Sequence, residues 1–233
     1  MKSPTPQRML PFAILLLGLA AFFALGIDRR FSLQTLARHE ADVTAWVAGN
    51  RAVAALAFVA VHTTVVAFSL PVSLLMAAAS GFLFGVQLGA VLSMAGTTLG
   101  SIALFFAART AFYDFFRARS GPALARLEDG FRRDGLSYLV FLRIVPAFPS
   151  WLTTIVSALL GVRPKVFIVG TLLGIAPGCF VFAGIGADFG RLFRIGQAPD
   201  LGEIFQPRTL LPLLGLAVLA LLPVLYRRWR RRP

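Results

Sequence analysis

The sequence predicts an all-α, polytopic integral membrane protein in which two re-entrant helical hairpins enter from opposite faces as an inverted repeat. Three observations predict it. The 233-residue chain is 58% hydrophobic, has a mean hydropathy of +0.78 and is only 14% charged, too apolar for a water-soluble domain of that length. Its apolar segments, at 9–27, 52–70, 71–108, 136–161, 164–187 and 209–226, include several too long or too interrupted for one straight crossing of about 20 residues. The run Phe141-Leu142-Arg143-Ile144-Val145-Pro146-Ala147-Phe148-Pro149 sets one arginine and two prolines inside apolar surroundings. An arginine near the bilayer centre costs at least ~2.5 to 3.5 kcal/mol and therefore faces a polar path or a partner. Each proline lacks an N–H and breaks the helical ladder, which lipid tolerates only where the chain is buried in protein or lines a cavity.

Each element follows in order. Residues 9–27 behind Lys2 and Arg8 are long enough to span and are expected to stay as a transmembrane helix. A signal peptide is the alternative, with Ala24-Leu25-Gly26 a poor cleavage site. Phe31 to Val47, opened by Ser32 as N-cap and anchored by Trp46, reads as an interfacial helix that completes an N-terminal region of 1–51. Residues 71–108 exceed one crossing, so 52–85 is expected to form a hairpin bent at Pro71, followed by a spanning helix from Val86 to Ala108. Residues 136–161 repeat the plan: the ten residues to Val145 reach about 15 Å, half of a ~30 Å hydrocarbon core, before the chain turns back. A second spanning helix over 164–187 closes a membrane domain of 52–190. A loop, a transmembrane helix at 209–226 and the basic tail Arg227-Arg228-Trp229-Arg230-Arg231-Arg232 fill 191–233.

Charge orients these segments. The net charge of +13 and a pI near 11.6 do not mark a nucleic-acid binder, because the basic residues sit at the ends of apolar segments and form no face. With both termini cytoplasmic, the inner side carries fifteen Lys and Arg and the outer side seven, with Arg143 left in the second hairpin. Since 52–70 is itself long enough to span, the first hairpin is either re-entrant or two full crossings. Both readings keep the loops on the same sides, and under both the two hairpins enter from opposite faces, the sequence trace of an inverted repeat.

Small residues carry the next pattern. Gly81, Gly85, Gly89, Ser93, Thr97 and Ser101 recur every four residues, Gly96 and Gly100 form a second row, and Gly170, Gly174 and Gly178 a third around Pro177. Such rows let helix backbones approach closely in lipid, and helix packing is their expected role; a homo-oligomer is left open. No strand precedes these glycines and no Lys-Ser/Thr follows them, so they are not a phosphate loop. The lone Cys179 makes no intrachain disulfide. His39 lies outside the core, and His62, alone on an apolar segment, reads as a hydrogen-bonded packing residue. Neither a metal site nor a cofactor is expected, and no Ser-His-Asp, HExxH or paired-carboxylate set can be assembled, so the chain is not expected to be an enzyme.

Taken together, Gly81-Phe-Leu-Phe-Gly85-x3-Gly89-x6-Gly96-x3-Gly100-x8-Arg109, then Arg143-x2-Pro146-x2-Pro149, Gly161 and Gly170-Thr171-x2-Gly174-x2-Pro177 resemble the VTT domain of the DedA superfamily, also called the SNARE-associated Golgi protein family. The resemblance covers roughly residues 65 to 190, and the branch it points to resembles the yeast Golgi vesicle protein. It implies two opposed re-entrant hairpins in an inverted repeat and a bacterial inner-membrane location. Bacterial relatives are linked to envelope integrity and undecaprenyl phosphate recycling, and eukaryotic relatives include lipid scramblases. Two departures stand out. Phe68-Ser69-Leu70-Pro71-Val72-Ser73 lacks the acidic residues that bacterial DedA proteins carry near the first hairpin, which weakens a proton-coupled reading, and Thr154 stands where many relatives have Asn.

Arg143 has two readings: pairing with carbonyls freed by Pro146 and Pro149, or binding a lipid phosphate bidentately as Lys would not. Pro71 and Pro149 are each expected to open a half-helix at its first position, aiming free N–H groups at the midplane, with Ser73, Ser150, Thr153 and Thr154 supplying hydroxyls. Arg109 is expected to end the first glycine-rich helix and snorkel to the interface. The expected function is movement of anionic, phosphorylated lipid headgroups across the membrane. An ion-coupled carrier of a small solute and a non-transporting scaffold are the alternatives.

Overall fold

The computed structural model describes residues 40–118, 134–145 and 148–194, together with Ile14 and Leu17. The bulk of the expected N-terminal segment, the 119–133 stretch, Pro146, the 209–226 segment and the basic tail lie outside the described residues. Every regular element among the described residues is helical: α1 (Glu40–Gly49), α2 (Arg51–Ala67), α3 (Ser73–Phe84), α4 (Val86–Ala118), α5 (134–144), α6 (Ser150–Leu159) and α7 (Pro164–Arg194). Two stretches, Val86–Ala111 in α4 and Pro164–Gly190 in α7, are long and apolar enough to cross a membrane. The 12-residue α3 and the 10-residue α6 are not, reaching only about 18 Å and 15 Å at 1.5 Å per residue.

Both long helices run further than their apolar patterns predict. Arg109 does not end α4, which continues to Ala118, because arginine is a good helix former and a charge alone does not terminate a helix. α7 runs on to Arg194 in the same way. It opens at Pro164, where the missing N–H is one the helix leaves unpaired in any case, with the Arg163 carbonyl accepting from the Phe167 N–H at 3.0 Å.

The described residues divide into two compact units, 40–100 with 179–194, and 101–118 with 134–145 and 148–178. In the first, α1 and α2 meet at Asn50 with a bend of 115°, Asn50 donating from both its backbone and its side chain to the Trp46 carbonyl. α2 buries Ala54, Phe58, His62, Val65 and Val66 along one face, yet Val53, Leu56 and Val61 are exposed on the rest of it. A helix apolar all round is built for a non-aqueous surrounding. Ser69, at φ 57, ends α2: the Leu70 N–H reaches the Val65 carbonyl and the Ser69 N–H that of Val66, a Schellman cap with serine in the position glycine usually takes. Phe58, Val65, Met76 and Phe84 then close the α2–α3 hairpin.

In the second unit, α5 and α6 form the other hairpin, and its exit repeats the cap, with Gly161 at φ 69, its N–H on the Ala158 carbonyl and the Val162 N–H on that of Ser157. Phe105, Ala108, Leu139, Ala158, Val162 and Phe167 form its core.

The glycines show how the hairpins seat. A Cβ on Gly96 would stand 2.8 Å from the His62 Cβ, and one on Gly100 2.5 Å from the Thr63 carbonyl oxygen and 2.7 Å from the Val66 Cβ. In the second unit a Cβ on Gly170 would meet Leu139 at 2.8 Å, and one on Gly174 would overlap the Arg143 side chain and stand 3.1 Å from the Val140 carbonyl oxygen. In both, the first arm of a hairpin lies on the pattern Gly-Thr-x-Leu-Gly of the long helix that follows it, Gly96 to Gly100 and Gly170 to Gly174. Gly81 and Gly186 make a further close approach, to the Ala183 and Ala78 backbones, and a Cβ on Gly89 would lie 2.5 Å from the Ser80 carbonyl oxygen.

Gly85 differs from the packing role its spacing suggests. Nothing lies within 4 Å of where its Cβ would be; its φ of 78° and ψ of 172° fall in a region essentially confined to glycine. It is the single residue between α3 and α4, so the four-residue row Gly81 to Ser101 is no continuous helix face. Gly178 likewise has open space around it.

Candidate functional site

The site grows from the break between α5 and α6. Val145 closes α5, its N–H on the Phe141 carbonyl at 3.1 Å, and Pro149, at φ −56 and ψ 131, caps α6. Pro149 therefore stands one position before the place expected of it, with Ser150 as the first helical residue. The Pro149 carbonyl accepts from the Leu152 and Thr153 N–H groups at 3.0 and 3.2 Å, and no side chain caps the N-terminus of α6.

Arg143, on the last turn of α5, reaches across this break. Its Nη2 donates to the Thr154 Oγ1 at 2.9 Å and to the Thr171 Oγ1 at 3.3 Å, and its Nη1 to the Ser150 carbonyl at 3.4 Å. The first is a good charge-assisted bond and the other two are long. Thr154 is buried and donates its own proton to the Ser150 carbonyl at 2.8 Å, which leaves its lone pairs for the guanidinium. All these acceptors are neutral. Among the described residues no carboxylate pairs with Arg143, and its Nε is buried without a partner. The guanidinium also lies over the Phe167 ring, 5.6 Å from its centroid.

The other expected residues distribute differently. Thr153 is buried and also donates to the Ser150 carbonyl, at 2.9 Å, but the Arg143 guanidinium bonds Thr154 and not Thr153. Pro146 lies outside the described residues. Pro71 and Ser73 belong to the first unit, where Val72 caps α3 and Pro71 precedes that cap, again not at the first helical position. Of the residues expected in the second hairpin, Thr154 and Ser150, the latter through its carbonyl, meet Arg143.

The first unit has its own buried polar group. His62 is fully buried, with its Nε2 3.4 Å from the Thr97 Oγ1, its Nδ1 without a partner, and its ring edge-on to Phe58. Thr97 and Thr171 occupy the same place in the two Gly-Thr-x-Leu-Gly patterns, so each long helix offers a threonine hydroxyl to the hairpin arm lying on it. Among the described residues no group of His, Cys, Asp and Glu has the arrangement of a metal site.

The VTT domain profile matches residues 70–188, from the first hairpin turn to near the end of α7. The chain belongs to the VTT-domain family. Over 177 residues, 74% of this chain, it is 29% identical to transmembrane protein 41B of Gallus gallus, and equally so to that of Homo sapiens. It is 31% identical over 174 residues to the transmembrane protein 41 homolog of Dictyostelium discoideum. The alignments span 63%, 58% and 50% of those proteins, so the chain matches about half to under two thirds of their length. No solved structure matches it. The helices long and apolar enough to cross a membrane and the transmembrane relatives agree: this VTT-domain protein is a membrane protein.

Sequence reasoning missed Thr171, Gly186 and the Ser150 carbonyl as parts of these contacts. Comparing the chain with itself exposes Thr171, because GTTLG at 96–100 and GTLLG at 170–174 are nearly the same five residues. Gly186 keeps the four-residue register of Gly170, Gly174 and Gly178, interrupted only by Phe182, and Gly190 continues it, so extending that row would have found it.

Proposed function

We propose that this VTT-domain protein moves phosphorylated lipid headgroups across the bilayer, with Arg143 contacting the phosphate while the acyl chains stay in lipid, and so supports envelope and membrane homeostasis. The observation that carries the reading is the Arg143 guanidinium, set at a helix break, held by neutral acceptors only, with its Nε unpartnered. A cation buried without a counter-charge is costly and attracts a mobile anion. The uncapped N-terminus of α6 beside it adds free N–H groups of the sign that favours phosphate.

In this reading the 52–85 and 136–161 hairpins are re-entrant and enter from opposite faces, as an inverted repeat. The short reach of α3 and α6 and the two Gly-Thr-x-Leu-Gly seats support it. Both termini face the cytoplasm of a bacterial inner membrane, by the excess of basic residues on that side. The partners are anionic lipids, and the reading invokes neither a cofactor nor covalent catalysis.

The test is reconstitution of the purified protein in liposomes, following labelled phospholipid and polyprenyl phosphate from one leaflet to the other. Arg143→Ala is expected to lower the protein-dependent rate at least about tenfold, the effect of losing a charged contact of ~1.5–3 kcal/mol. Arg143→Lys is expected to fall nearly as far, because a point charge does not reproduce the guanidinium fork. Wild-type protein that moves neither lipid sinks the proposal and turns attention to a scaffold or a solute carrier.

A further inference from the structure

Arg143 is one end of a four-membered stack within the second unit. Its guanidinium carbon lies 5.6 Å from the Phe167 centroid. Phe167 stacks on Phe105 with centroids 4.3 Å apart and planes inclined by 23°. Over Phe105 lies a second guanidinium, that of Arg109, 5.7 Å from the ring centroid. Both rings are fully buried, so neither stack nor cations are diluted by water from the ring side. With the ring centroids only 4.3 Å apart no third layer fits between the rings, which leaves their outer faces to the two guanidinium groups. Arg109 is in turn fixed: its Nη1 donates to the Val162 carbonyl at 2.9 Å, just past the Gly161 cap where the second hairpin leaves α6.

The arrangement exceeds what burial of two phenylalanines requires. A core needs only apolar volume, which leucine supplies as well. Here two cations are placed on the two faces of one aromatic pair, where the electron-rich ring faces attract them and where both distances fall within the ~6 Å reach of a cation–π contact. The Arg143 hydrogen bonds leave part of the guanidinium unengaged, since two of the three exceed 3.2 Å and Nε makes none. The ring face supplies a wall on the side the threonines leave open. We infer that Phe167 is a positioning residue for the Arg143 guanidinium, and that Phe105 and Arg109 support it from behind, linking the exit of the second hairpin to the arginine at its break. This inference rests on the proposed role of Arg143 only for its functional consequence; the positioning itself is a property of the stack.

The experiment has two readouts. In full-length protein labelled with 15N-arginine in micelles, the Arg143 Nε–Hε resonance is assigned by its loss in Arg143→Lys. A proton held beside an aromatic face is displaced by the ring current. Phe167→Leu is expected to move that resonance toward the position of free arginine and to speed its exchange with water, whereas Phe167→Tyr retains it. Arg109→Gln and Phe105→Leu are expected to shift it in the same direction by less, and they remain informative if Phe167→Leu does not fold. In liposomes, Phe167→Leu is expected to lower the preference for a labelled anionic lipid over a labelled zwitterionic one by roughly five- to thirtyfold, the factor of one cation–π contact shielded from water on its ring side. A purely packing role predicts equal losses for both lipids, and rescue by leucine as good as by tyrosine; either result overturns the inference, as does an Arg143 resonance unmoved in folded Phe167→Leu. If wild-type protein moves no lipid, the proposed function fails, and the resonance series still decides the stack.

Discussion

At the residue scale, the chemistry concentrates on Arg143 and the hydroxyls around it. Thr154 bridges the guanidinium and the chain, accepting from Arg143 while its own proton goes to the Ser150 carbonyl. Thr154→Val keeps the shape and removes the acceptor, so it is expected to destabilise the protein by about 1–2 kcal/mol in detergent unfolding, within the range for a bond to a charged group and tempered by the smaller values found in membranes. Thr171→Val, which loses a bond of 3.3 Å, is expected to cost less than half of that. Equal losses from the two would show that the longer contact is as strong as the shorter. Arg143 itself was legible as a costly residue in an apolar run; its partners were not, since Thr171 is 28 residues away and meets it only when α7 packs on α5.

At the element scale, glycines do two different jobs that their spacing cannot separate. Gly81, Gly96, Gly100, Gly170 and Gly174 lie where a Cβ would intrude on the neighbouring helix, whereas Gly85 lies in open space with a backbone that side-chain-bearing residues avoid. Gly81→Ala and Gly186→Ala place a methyl against backbone atoms of Ala183 and Ala78, which cannot rotate away, and each is expected to cost about 1–3 kcal/mol by overpacking. Gly85→Ala is expected to cost a similar ~1–3 kcal/mol through strain. Gly178→Ala, with nothing within 4 Å, is the control and is expected to be neutral or slightly stabilising because alanine is the better helix former. Loss of stability in Gly178→Ala comparable to the others would show that substitution in α7 is harmful regardless of packing.

At the scale of the whole molecule, the arrangement in the bilayer is the quantity to test. Cys179 is the single native cysteine and is buried, so replacing it gives a background for labelling. Cysteines placed near Lys2 and Arg230 are expected to resist a membrane-impermeant thiol reagent in intact cells, while one near Arg29 reacts; labelling at Lys2 from outside would reverse the orientation. The sequence alone determined the class, because 58% hydrophobic residues in runs of membrane length leave no soluble alternative. It also determined the family and the break at Arg143, since a charge and prolines in an apolar run read the same in any context. Tertiary structure decided what lies against what. Only the packed chain shows that Gly85 turns while Gly81 packs, that Arg109 stays inside a helix and reaches Val162, and that two distant Gly-Thr-x-Leu-Gly patterns seat two hairpin arms. The physical reason is that composition and periodicity report the average surroundings of a residue, whereas hydrogen bonds, ring stacks and backbone approaches depend on which distant segment fills the last few ångströms beside it.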